Sequence, residues 1–338
     1  MTRSVRLAML CLPLAACEFD ILHEPGGATG NPDPTSEIVS PWGADATIGG
    51  DALGATGGAT GGATANKPLC EGIYAAPGGQ LNITGALPAG VAGKCTIQAN
   101  VNIQGSLLDA HLEPLANLQL ITGTLTIANT VQLVSINGLR GLKTVNGTIQ
   151  VNNNKALLSL NGLANLLTAQ SIFINTNPQL TSAALPQLKS VGQHLIVEQN
   201  PKLTNLSYAN LTSVPQDLTF RSNFLLTTLG SFPKLGSAGS LKLEGSTVRV
   251  FNAFPVIKAL NSLHINSNSL LTTISLPALQ SSGELQIQQN QDLATIEGAF
   301  PVLQTCNSLS ICGNAKLPST QKQALQDKVK AKFYAPCT

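Results

Sequence analysis

Along most of this chain one phrase keeps returning: an apolar residue, any residue, an apolar residue, two more, an asparagine, two more, and usually leucine. Ile172-Phe173-Ile174-Asn175-Thr176-Asn177-Pro178-Gln179-Leu180 and Leu285-Gln286-Ile287-Gln288-Gln289-Asn290-Gln291-Asp292-Leu293 carry it cleanly. The asparagine position is occupied by Thr130, Asn154, Asn177, Asn200, Asn223, Ser246, Asn268, Asn290 and Asn314, at spacings of 22 to 24 residues. A fixed period of that size marks one coil of a solenoid per repeat. Alternation at the start of each phrase predicts a short strand, with its two apolar side chains inward and the residue between them outward. Further apolar residues follow about every three positions, as at Leu157, Leu160, Leu163, Leu166 and Ala169. A helix is not expected there, because Leu185-Pro186, Phe232-Pro233, Phe254-Pro255, Leu276-Pro277 and Phe300-Pro301 recur at one point of the coil, and proline breaks a helix interior. Turns and short extended pieces are expected instead. The predicted fold is mainly β, a right-handed β-helix or leucine-rich-repeat-like solenoid of about nine to ten coils of 22–24 residues.

The recurring asparagine is predicted to be a buried amide, bonding backbone groups at its corner and in neighbouring coils. Stacked in register, such amides form a ladder. Thr130 and Ser246 keep a hydroxyl but can make fewer bonds, so weaker corners are expected there. Val101-Asn102-Ile103 predicts an earlier strand with Ser106 in the ladder position, and Leu81-Asn82-Ile83 a capping turn before it. Thr320 to Phe333 has helical composition, with Ala324, Leu325 and Val329 on one face, and predicts a C-terminal cap.

The first residues read as a targeting signal. Arg3 and Arg6 give a positive start, and Leu7 to Leu14 a short apolar run. Leu14-Ala15-Ala16-Cys17 resembles the bacterial lipobox, which implies a signal peptide over 1–16 and lipidation of Cys17. An ordinary secretory signal with a chance cysteine is the alternative. Glu18 follows the anchor in place of the aspartate associated with inner-membrane retention, which favours the outer membrane. The expected location is therefore the bacterial cell envelope, lipid-anchored, periplasmic or surface-exposed. Residues 17–69 read as a tether: GATGGATGGATAN from Gly54 is too poor in apolar side chains to offset chain entropy. The only tryptophan, Trp42, falls within it. The solenoid with its caps is assigned to 70–338.

Export places the remaining cysteines in an oxidising compartment. Cys70 and Cys95 bracket the first turn and are expected to form a bridge over the open end of the core. At the other end Cys306, Cys312 and Cys337 compete for one bridge. Cys312 is expected to point out of the sheet and pair with Cys337, clamping the C-terminal segment, while Cys306 stays a buried thiol.

The Leu-x-Ile-x-x-Asn-x-x-Leu coils, joined by phrases such as Ile136-Asn137-Gly138-Leu139 and Leu160-Asn161-Gly162-Leu163, resemble the receptor L-domain. That is the leucine-rich, right-handed β-helical module of insulin and epidermal-growth-factor receptors, similar to modules of bacterial surface lipoproteins and fungal wall proteins. The resemblance spans about residues 70 to 338, and the N-terminal cysteine pair fits it. It implies the fold and a binding role without naming a ligand. The chain departs from the receptors in having no cysteine-rich module, kinase or membrane span, so hormone signalling is not implied.

Solenoids of this kind commonly bind through the outward side chains of their strands. One outward row is Thr126, Gln150, Phe173, Ile196, Thr219, Lys242, His264, Gln286 and Ser310. The next is Ala128, Asn152, Asn175, Glu198, Arg221, Glu244, Asn266, Gln288 and Cys312. Phe173 and Ile196 are expected to be adjacent and exposed, with His194 and Glu198 beside them, an apolar pair rimmed by polar groups of the kind that anchors a partner. The same contact can instead steady the sheet by cross-strand packing. Glu198, Arg221 and Glu244 alternate in sign, as in a surface salt-bridge ladder of small energetic weight, about 0–1 kcal/mol per pair. The ligand-binding candidates are thus Phe173, Ile196, His194, Glu198, Arg221 and Lys242.

A net charge of +2 without a basic cluster argues against nucleic acid. An enzyme is the rival class, since polysaccharide lyases and hydrolases use β-helices of similar period. Asp217 with Glu198 offers a carboxyl pair at glycosidase-like spacing, with His194, Arg221 and Lys242 nearby. No phosphate loop, zinc motif or nucleophile elbow accompanies them, so no cofactor or metal is expected. A structural spacer without specific ligand is the third reading. The sequence favours noncatalytic recognition of a protein or glycan.

Overall fold

The computed structural model describes residues 70–329 and the strand Phe333–Tyr334. The expected signal segment, Cys17, the expected tether with Trp42, and Cys337 lie outside the described residues. Eleven long strands form the solenoid: β1 (Ile73–Ile83), β2 (Thr96–Gly105), β3 (Leu125–Thr130), β4 (Thr144–Asn152), β5 (Thr168–Asn175), β6 (Leu195–Glu198), β7 (Ser213–Arg221), β8 (Ser237–Glu244), β9 (Ala259–Asn266), β10 (Ser281–Gln288) and β11 (Thr305–Cys312). Each pairs in parallel with the next, so one coil separates neighbours and the chain winds through about ten turns. Phe333–Tyr334 adds a final parallel pairing to β11. The fold is a mainly β solenoid closed by the short helix Ser319–Val329.

Register follows the repeat. Ile172, Leu195, Leu218, Leu241, Leu263, Leu285 and Leu309 stack one above another, as do Ile174, Val197, Phe220, Leu243, Ile265, Ile287 and Ile311. Both columns are buried, the inward half of the strand alternation. The apolar residues after each asparagine complete the other walls, for example Leu180, Ala183, Leu185 and Leu188, all buried.

Those walls are built by turns of two kinds. In the earlier coils Asn137–Leu139 and Asn161–Leu163 form 3-10 turns, more helical than the extended pieces expected. In later coils the proline phrases close i to i+3 turns: Leu188 N–H donates to Leu185 O at 3.1 Å, and Leu279 to Leu276 at 3.2 Å. Proline is then the second residue of the turn, where its fixed φ suits the geometry and no N–H is needed. No α-helix forms in these connectors among the described residues.

Every strand from β3 onward ends in one residue of left-handed conformation: Asn129, Asn153, Thr176, Gln199, Ser222, Gly245, Ser267, Gln289 and Gly313. Each immediately precedes a ladder residue. The reversal of φ breaks the alternation at the strand end: the left-handed residue itself is turned out to the surface, and the next side chain, which strict alternation would aim outward, points inward from a corner. Seven of the nine are not glycine, and for such residues this conformation costs roughly 1–2 kcal/mol. The ladder bonds oppose that cost. Asn177, for instance, donates its N–H to Asn200 Oδ1 at 3.0 Å and its amide to Val151 O at 2.8 Å and Asn175 O at 3.0 Å. Asn154, Asn200, Asn268, Asn290 and Asn314 each reach a strand carbonyl of the preceding coil in the same way. Thr130 and Ser246 each donate a hydroxyl and an N–H to the next asparagine, with no bond back to the previous strand among the described residues. Asn223 consequently donates to Val197 O and has no side-chain bond to Ser246. The ladder is therefore two ladders, 130–223 and 246–314.

Three further readings differ from expectation. Leu81–Ile83 is the end of full strand β1, which bulges around Pro77-Gly78-Gly79, not a capping turn; the missing asparagine had hidden the strand. Ser106 is exposed rather than laddered, because left-handed Gly105 takes the register position opposite Thr130. In the terminal helix Leu325 and Val329 are buried but Ala324 faces solvent.

Aromatic rings fill the middle coils. Phe232 stacks between Tyr208 and Phe254, at centroid distances of 5.2 and 4.7 Å, and meets Phe220 edge-on at 5.7 Å. The Tyr208 hydroxyl is buried without a hydrogen-bond partner, and burial pushes its phenol far above the ordinary tyrosine range. At the N-terminal end Cys70 and Cys95 form a disulfide, joining the residue just before β2 to the segment before β1. Cys306 is buried and free, and Cys312 is disulfide-bonded.

Candidate binding face

The outward rows assemble as the repeat predicts. Gln150, Phe173, Ile196, Thr219, Lys242, His264 and Gln286 are consecutive register partners on the solvent face of the sheet. Asn152, Asn175, Glu198, Arg221, Glu244, Asn266 and Gln288 run beside them. Near the middle the face sinks into a depression of about 390 Å³, lined by Phe173, Ile196, Glu198, Asp217, Thr219, Arg221, Lys242, Glu244 and His264. The dip has a simple cause. Thr219, only 7% exposed, is a short side chain between the long ones of Ile196 and Lys242, and forms the floor.

Phe173 and Ile196 are neighbours across β5 and β6, but both are half-buried rather than exposed. The His194 ring lies against Phe173 at a centroid distance of 6.1 Å. One edge of each remains open to the depression.

The charges around them are mostly engaged. Arg221 pairs with Glu198 at 2.6 Å. Lys242 Nζ lies 3.1 Å from Asp217 Oδ1, and His194 Nδ1 lies 3.1 Å from Asp217 Oδ2. The His194 nitrogen is close to the carboxylate but out of line for a hydrogen bond, so the contact is electrostatic at most. His264 Nε2 meets Glu284 Oε2 at 3.0 Å, and Gln286 donates to Glu284 Oε1 at 2.7 Å. Partial burial alone pushes the Glu284 carboxyl up; the hydrogen bonds from His264 and Gln286, with the charges of His264 and Lys242, more than offset it and hold it below the ordinary glutamate range. Glu244 stands apart: Arg221 is its register partner yet turns to Glu198, and among the described residues the Glu244 carboxylate has neither ion pair nor hydrogen bond.

All six candidates from the sequence lie in or against this depression. Asp217, Thr219, Glu244 and His264 complete it. Asp217 and Glu198, the pair a glycosidase would need, are each tied to a cation. Among the described residues no group of three His, Cys, Asp or Glu side chains is placed to hold a metal ion.

Residues 91–214 match the family model described as Receptor L domain, a non-enzymatic ligand-binding domain. The match covers just over a third of the chain and includes Phe173, His194, Ile196 and Glu198, while Asp217, Arg221, Lys242 and Glu244 lie beyond it. No curated protein and no solved structure matches the chain.

Proposed function

We propose that this chain is a noncatalytic recognition module of a bacterial cell-envelope lipoprotein, which docks a protein or glycan onto the outward face of its strands. The observation that carries the reading is the depression over Thr219, where the apolar edges of Phe173 and Ile196 meet a ring of charged groups in the middle of the parallel sheet. Apolar anchors in a polar rim concentrate binding energy, and a solenoid sheet holds them without further ordering on binding. The match to a ligand-binding family supports the same role. The engagement of Asp217 and Glu198 in ion pairs speaks for recognition over hydrolysis.

Photocrosslinking in cells from position 173, with the same probe at exposed Val302 as reference, tests the docking face. A recurrent species captured at 173 and absent at 302 is expected. Equal, partnerless recovery from both positions, together with no glycan retained by the purified protein, sinks the recognition reading. Anchoring is tested separately: Cys17→Ala should move the protein from the membrane to the soluble fraction, and an unchanged distribution excludes the lipid anchor.

A further inference from the structure

We propose that the ligand of this face is an extended peptide segment carrying a lysine or arginine about four residues from a large apolar side chain, the cation seated on Glu244 and the apolar group on Phe173 and Ile196. The inference rests on the recognition reading above and narrows it to one ligand class.

Charge decides between ligand classes. The depression is lined by three carboxylates, Glu198, Asp217 and Glu244, against two cations, Arg221 and Lys242. The cations are spent on Glu198 and Asp217. Glu244 remains a half-buried carboxylate that has lost part of its hydration without gaining a partner, so an incoming cation gains more there than at a fully solvated acid. An acidic glycan meets net repulsion, and a neutral one leaves this carboxylate unsatisfied.

Geometry supplies the spacing. Phe173 is on β5 and Glu244 on β8, three strand steps away. At about 4.8 Å per step that is about 14 Å, and because Glu244 lies two residues beyond Lys242, the register partner of the Phe173 row, the backbone separation is about 16 Å; an extended chain rising about 3.3 Å per residue covers about 13 Å in four residues, and the reach of its side chains covers the rest. Side chains four apart on an extended segment share one face, so both can point down at the sheet while the segment crosses the strands. Thr219, between the two anchors, leaves room for the residues that link them.

The test is selection of random linear decapeptides displayed on phage against the full chain in detergent, repeated on Glu244→Gln and Phe173→Ala. Thermal unfolding of each variant confirms that it folds. Expected are peptides with Lys or Arg about four positions from Phe, Leu or Trp, weakened at least tenfold by either substitution and weakened by added salt. Selected peptides that depend on Phe173 but ignore Glu244 overturn the cation assignment and leave the recognition reading standing. Absence of any Phe173-dependent peptide overturns the peptide assignment; glycan-array binding that Phe173→Ala abolishes would then still support recognition by the face, and its absence would remove that too.

Discussion

At the scale of single residues, the asparagine ladder and the left-handed residue before it work as a pair, one opposing the strain of the other. Asn200 shows the weight of this. It donates to Asn223 Oδ1, Ile174 O and Glu198 O, and accepts from the N–H and amide of Asn177. Asn200→Ala strips a donor from Ile174 O and an acceptor from Asn177 N–H, both with no route to water. At about 1–3 kcal/mol per buried unsatisfied group, the expected loss is about 2–6 kcal/mol by urea denaturation; a loss below 1 kcal/mol would mean the amide ladder is dispensable. Glu284 gives a second residue-scale prediction. Its folded carboxyl is held below the ordinary value of about 4.3, so its contribution is present above that pH and fades as pH falls through the lower folded value. Melting curves of the wild type and Glu284→Gln should therefore differ at pH 6 and converge towards pH 3. A gap that stays constant across that range excludes the ion pair with His264 as its source.

At the scale of elements, stacking is tightest where glycine permits it. Gly162 in the 3-10 turn Asn161–Leu163 sits so close to the previous coil that a methyl there would collide with the Ile136 carbonyl oxygen. Gly236, by contrast, has open space around its missing methyl and no left-handed backbone. Gly162→Ala should cost about 1–3 kcal/mol through forced displacement of the turns, whereas Gly236→Ala should be neutral or stabilise by about 0.4–1 kcal/mol through the unfolded chain. Equal denaturation midpoints for the two variants would refute the close contact. The same elements explain what was legible in the sequence. Inward positions were legible because Ile172 and Ile174 flank one outward residue, and because the asparagine fixes register from coil to coil. The rows of the face follow from that arithmetic, which is why Phe173, Ile196 and Lys242 align from the sequence alone. The left-handed residue was not legible, since Asn153, Thr176, Gln199 and Gly313 share no chemistry, only a place in the backbone. Neither was β1, whose Leu81 and Ile83 lack the asparagine that marks later strands. The shielding of Phe173 by His194 and the isolation of Glu244 depend on rotamers, which no periodicity encodes.

At the scale of the whole molecule, a solenoid contacts itself only between neighbouring coils, so its stability is a sum of coil and interface terms and its cooperativity is no stronger than its weakest interface. The one interface that the asparagine ladder does not cross among the described residues lies between the coils of Asn223 and Ser246. Asn223 has no amide bond onward, and no ladder amide reaches Phe220 O from the Ser246 side; the two ladders end against each other. Packing bridges the break: Phe232 touches Tyr208, Phe220 and Phe254, so the rings span the coils that the amides do not. The depression straddles the same interface, with Arg221 on one side and Lys242 and Glu244 on the other, so the geometry of the face depends on it. Ser246→Asn would give Asn223 an acceptor and Phe220 O a donor in a corner whose preceding residue, Gly245, already has the left-handed backbone. The gain expected is about 0.5–1.5 kcal/mol for each hydrogen bond added, seen as a higher urea midpoint and, if the halves had been unfolding apart, a steeper single transition. A midpoint that falls instead would show that the Ser246 corner is too small for the amide and that the ring stack, not the ladder, holds the two halves together.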